Sequence, residues 1–120
     1  MNINIDVMSR TKAMAALASP VRFQILLWLL DPRAHFPEQT DGDLVDDGVC
    51  VGFITEKTGL TQPTVSSHMK KLADARLVTG KRIGNWIFYK PDRNHLADLG
   101  SDLVTASRSA PRTEKGSLAS

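Results

Sequence analysis

Apolar positions along the chain change from helical spacing to alternation and back, and each change marks an element. In VMSRTKAMAALASP, Val7, Met14 and Leu17 recur at helical spacing among alanines and predict a first helix over about residues 7–17. Ser19 followed by Pro20 is an N-cap with proline in the first turn. Val21, Ile25, Leu26, Leu29 and Leu30 then extend a second helix over 20–30, apolar on most sides and central in the core. From Asp31 to Gly48 periodicity disappears, and two prolines, two glycines and six acids in eighteen residues read as a long surface loop. Regularity returns in VCVGFITEKTGL, where Val51 and Ile54, with Cys50 beside them, face one side of a short third helix stopped by Gly59. Thr61 is placed to cap a fourth helix over 61–75, with Pro63 tolerated in its first turn. Its apolar stripe is Val65, Met69 and Leu72, and everything opposite is polar or basic. LVTGKRI and WIFYK, joined by Gly84-Asn85, then predict a β-hairpin with a type II′ or I′ turn. Leu96, Leu99 and Leu103, with Val104 alongside, form a narrow stripe on a final helix over about 92–106. The small, polar stretch at 107–120 is expected to be a disordered tail.

This order, with a glycine turn before a capped helix and a hairpin after it, predicts a mainly α (α+β) domain over residues 1–106. The predicted architecture is a winged helix-turn-helix. A recognition helix must bury one stripe on its own domain and offer small hydrogen-bonding side chains and cations to the major groove. On residues 61–75 the stripe centred near Met69 leaves Thr64, Ser67, Lys70 and Lys71 pointing away, with Gln62, Pro63 and Ser66 near the helix N-terminus. Gln62 has the amide geometry for a bidentate pair with adenine, and the hydroxyls can bond a base or a phosphate. Lys81 and Arg82 sit just before a slim Gly84-Asn85 tip, where a hairpin reaches a flanking groove or phosphate.

Charge sharpens this picture. The chain of 120 residues carries a net charge of only +2, which reads as nearly neutral. Residues 31–56, however, hold seven acids against one base, and residues 57–93 hold eight bases against two acids. The basic half coincides with the turn, helix and wing, where a polyanion docks.

Three segments, LASPVRFQILLWL, GLTQPTVSSHMKKLADARLV and KRIGNWIFYK, resemble the ArsR type of winged-helix repressors across roughly residues 10–105. The resemblance implies a homodimer built on the first and last helices, with two recognition helices reading an inverted repeat in double-stranded DNA. It places Gln62, Pro63, Thr64, Ser66 and Ser67 where the family's base and backbone contacts arise. Ser67 departs from the family, many members of which carry His there, while His68 keeps a second family histidine. The stripe Leu96, Leu99, Leu103 supports the dimer independently, because few partners remain for it once the core is filled. Val7 and Met14, with Ile3, Ile5 and Met8, are expected to cover it across a two-fold axis.

Many members of the family sense metals through a Cys-x-Cys pair. Here Cys50 keeps the first position and Gly52 replaces the second, and one thiolate does not make a three- or four-ligand site. A second family site uses Asp and His on the last helix. His95 matches one ligand, but Arg93 stands where the aspartate belongs. The expectation is therefore no metal and no cofactor, with Cys50 an inert core thiol. His35, His68 and His95 are scattered, and read as surface or packing residues. No nucleotide-binding glycine loop or paired-carboxylate motif is present, so an enzyme is not expected. The single cysteine and the short apolar run FQILLWLL favour a reducing, cytoplasmic setting without membrane insertion. Two other readings stay open: a winged helix used for protein contact, and an effector- or redox-responsive sensor of the same family that uses Cys50.

Overall fold

The computed structural model describes residues 1–111. The first two helices form as α1 (Ile5–Leu17) and α2 (Pro20–Leu30), with a bend of 99° at the break between them. Asn4 caps α1 by accepting the Asp6 N–H, which starts the helix two residues ahead of the expected position. Ser19, in extended conformation, accepts the Arg22 N–H and lets Pro20 occupy the first turn. Ile25, Leu26 and Leu29 carry α2 into the core, while Phe23 and Leu27 leave one side of it open to solvent.

The loop expected at residues 31–48 carries local order. A single turn, α3 (Pro32–His35), follows α2, and Phe36 and Leu44 reach the buried core. Next comes β1 (Val49–Cys50), where the sequence predicted the start of a helix. The third long helix, α4 (Val51–Thr58), begins one residue later and ends at Gly59, whose φ of +71° is the left-handed C-cap expected of it. Val51 and Ile54 are buried, but Cys50 leaves their face for the sheet.

The recognition helix is α5 (Gln62–Asp74), and its stripe Val65, Met69 and Leu72 is fully buried. Thr61 takes the N-cap position, yet its hydroxyl bonds the Thr64 hydroxyl at 2.9 Å instead of a backbone N–H. At the other end the Arg76 N–H donates to the Ala73 carbonyl and the Leu77 N–H to that of Leu72. This Schellman closure puts a non-glycine residue, Arg76, at φ +62°.

The hairpin forms as β2 (Val78–Ile83) and β3 (Trp86–Pro91). Gly84 at the tip has φ +60° and Asn85 does not share the positive φ, the pattern of a type II′ turn. All pairings are antiparallel in the order β1-β3-β2. Register puts Val49, Val78 and Tyr89 on the face buried against the helices. Cys50, Lys81, Ile83, Trp86, Phe88 and Lys90 lie on the other. Last comes α6 (Arg93–Arg108), capped by Asp92 accepting the His95 N–H, which runs two residues past its expected end. Residues 112–120 of the expected tail lie outside the described residues.

Candidate nucleic-acid interface

The face of α5 opposite Val65, Met69 and Leu72 is open. Gln62, Pro63, Thr64, Ser67, Lys70 and Lys71 are exposed there, and Ser66 is half-buried at its edge. Lys70 pairs with Asp74 one turn on at 3.0 Å, so part of its charge is spent along the helix. Among the described residues Lys71 makes no ion pair with a carboxylate.

Arg22 holds this helix from behind. Its Nε donates to the Ala16 carbonyl at 2.7 Å, and its Nη1 lies 3.2 Å from Nδ1 of His68. That contact has the guanidinium donating to an unprotonated Nδ1, so His68 is held neutral. Burial, then the charges of Arg22 and Lys71, push its pKa below the ordinary value. His68 thus turns its ring toward α2 and positions the helix, away from the open face.

The wing differs from its sequence reading. Lys81 donates to Oδ1 of Asp47 at 2.6 Å and Lys90 to the Asp46 carbonyl at 3.1 Å, both in the acidic segment. Arg82 lies on the opposite face of β2 with its Nε on the Gly84 carbonyl at 3.2 Å, beside the exposed Asn85. Of the two expected wing cations, Arg82 therefore pairs with no carboxylate among the described residues, and Lys81 does.

The acidic segment is organised by its own hydrogen bonds. Asp43 accepts the N–H groups of Val45 and Asp46, each at 2.9 Å, and Asp47 Oδ2 accepts the Asp43 N–H at 2.7 Å. The N–H groups of Asp46 and Val45 hold the Asp43 carboxyl below the usual carboxylate range, and the Lys81 ammonium does the same for Asp47. Gln39 ties the segment to β1 by accepting the Cys50 N–H at 2.7 Å and donating to the Gly48 carbonyl at 3.0 Å. Gly48, at φ +103°, lies so close to β3 that a β-carbon there would collide with the Tyr89 carbonyl. Neither Arg22, within LASPVRFQILLWL, nor Asp47, within the acidic run, carries a sequence signal that marks it as a site residue.

Two comparisons bear on identity. The model of the arsR family of bacterial regulatory proteins matches residues 44–79. An uncharacterized HTH-type transcriptional regulator, YbzH of Bacillus subtilis, is 39% identical over 90 residues, covering 75% of this chain and 90% of that protein. The chain belongs to the ArsR family. The transcriptional repressor SmtB of Mycobacterium tuberculosis is 34% identical over 89 residues, 74% of this chain and 55% of that protein. An ArsR-like regulator from Rhodococcus superposes with a TM-score of 0.64 at 16% identity, over 87% of this chain and 84% of that one. A homodimeric winged helix-turn-helix DNA-binding domain from Mycobacterium bovis gives 0.61 at 22%, over 86% and 82%. These two likenesses establish the shared fold.

The described residues contain no group of three or more His, Cys, Asp or Glu side chains able to hold an ion. Cys50 is not the buried core thiol expected. Moved onto β1, it is half-buried and lines a cavity of about 340 Å³ with Phe53, Glu56, Trp86 and Phe88. His95 is buried, and its Nε2 has no hydrogen-bond partner among the described residues.

The first and last helices meet through the Arg10–Asp102 pair at 2.8 Å. Around it Val7, Met8, Met14, Leu103 and Val104 are exposed. Leu99 corrects the expected interface: at 6% exposed it packs in the chain's own core, with Leu96 half-buried against it. No single helix among the described residues is long and apolar enough to cross a membrane.

Proposed function

We propose that this ArsR-family chain is a sequence-specific DNA-binding transcriptional repressor. It works as a homodimer whose two α5 helices read an inverted repeat. The observation that carries the reading is the open face of α5, where an amide, hydroxyls and Lys71 stand clear above a fully buried stripe. Gln62, Thr64, Ser66 and Ser67 supply base readout. Lys70, Lys71 and Arg82 supply phosphate contacts, and Asn85 leads the wing tip. The exposed apolar residues of α1 and α6, Val7, Met14 and Leu103 among them, form the two-fold interface. The protein works in the cytoplasm, and no catalytic role is assigned to it.

Selection of bound duplexes from a random pool tests this reading. Enrichment of a two-fold symmetric site with half-sites about one helical turn apart supports it. Recovery of unselected sequence by folded protein overturns it.

A further inference from the structure

The outer face of the wing is covered by the acidic segment, and the contacts fall on its cations. Asp47 reaches Lys81 at 2.6 Å, the Asp46 carbonyl takes Lys90 at 3.1 Å, and a β-carbon on Gly42 would stand 3.2 Å from the tip of Ile83. We propose that this segment is an intramolecular competitor for DNA: the Asp47 carboxylate occupies Lys81 where a backbone phosphate would bind, and so lowers the affinity of the wing for any duplex. The proposal rests on the DNA-binding reading above and adds a residue, Asp47, that sets its strength.

Three features fit a competitor better than a chance surface pair. Asp47 has a second anchor besides Lys81, because its other oxygen accepts the Asp43 N–H at 2.7 Å and closes the turn. Gln39 fastens the same segment to β1, the strand paired with β3, so the carboxylate is tied to the sheet that carries Lys81. The pair is also open to an incoming anion, since the Lys81 side chain is 59% exposed and that of Asp47 is 25% exposed. A phosphate approaching Lys81 therefore meets a fixed negative charge beside it, and Lys81 releases no counterion of its own when DNA binds. Lys90 adds to the hold, because its charge also stabilises the Asp47 carboxylate.

The test is duplex binding by fluorescence anisotropy on a random-sequence DNA, across about 50 to 200 mM salt. Asp47→Asn keeps an acceptor for the Asp43 N–H and removes the charge. It is expected to tighten binding about three- to tenfold at the low-salt end and to steepen the slope of log affinity against log salt by about one per protomer. Lys81→Ala in the otherwise natural chain is expected to change affinity by less than about twofold, and in the Asp47→Asn background to abolish the gain. Unchanged affinity and slope for a folded Asp47→Asn protein overturn the proposal, as does a gain that survives Lys81→Ala. Should Asp47→Asn lower the melting temperature, Lys81→Ala alone still decides: a loss beyond about fivefold means Lys81 already binds phosphate and nothing competes for it. Failure of the underlying reading looks different, because then the natural chain, folded, binds no duplex even at low salt.

Discussion

Nη1 of Arg22 lies 3.2 Å from Nδ1 of His68, so a cation on α2 holds a neutral imidazole on the recognition helix. Burial first, then Arg22 and Lys71, place the His68 pKa below its ordinary value of 6.5. The unfolded chain therefore binds the proton more readily than the folded one. The stabilising contribution of neutral His68 is complete above the ordinary value and is lost as pH falls through it toward the depressed folded value. The melting temperature should fall between about pH 7.5 and pH 5.5, and His68→Gln should flatten that decline. An equally steep decline in the variant would remove His68 from the account.

Gly48 and Gly59 both have positive φ, yet they should respond differently to alanine. At Gly48 the new methyl meets the Tyr89 carbonyl, whereas at Gly59 nothing among the described residues lies within 4 Å. Gly59→Ala should cost about 1 kcal/mol for backbone conformation alone. Gly48→Ala should cost about 2–4 kcal/mol, because β1 must also part from β3. Urea unfolding of the two variants reads the difference, and equal costs would mean that the close approach at Gly48 does not matter.

Leu99 and Leu103 lie one helical turn apart on α6 but belong to different surfaces, at 6% and 55% exposed. Leu103→Asp should leave the fold intact and shift sedimentation toward the monomer. Leu99→Asp should unfold the domain, because it buries a charge in an apolar core. A folded Leu103→Asp protein that still sediments as a dimer would move the interface elsewhere.

Gln62 and Lys71 share the open face of α5 but should act differently on DNA. Gln62→Ala should lose about 1–3 kcal/mol of discrimination at one base pair. Lys71→Ala should weaken operator and random duplex alike. Competition assays with both DNAs separate the two, and equal losses for Gln62→Ala would remove it from base readout.

What the sequence revealed was local in origin. Ser19-Pro20 marks the start of α2 because an N-cap and a first-turn proline act within a few residues. Val65, Met69 and Leu72 mark the buried side of α5 because helical spacing alone places them on one face. Gly84-Asn85 signals its own turn. β1 escaped because two residues have no readable period, and their partners Phe88 and Tyr89 lie far along the chain. The order in residues 39–48 escaped for a related reason. It depends on Gln39, Asp43 and Asp47 satisfying particular backbone N–H groups, and composition registers these residues only as polar and acidic. The stripe through Leu99 points to a partner by sequence because periodicity marks an apolar stripe without saying which surface covers it. The same blindness hid the pairing of Lys81 with Asp47, which turns an expected phosphate ligand into a cation already engaged.

The central claim, that the face of α5 and the wing bind duplex DNA through a limited set of exposed cations, is tested most directly by the salt dependence of affinity for a selected duplex. With Lys70, Lys71 and Arg82 of each protomer neutralising about six phosphates per dimer, log affinity should fall against log salt with a slope near −5. A slope near zero, or no binding by the folded protein at low salt, would contradict it.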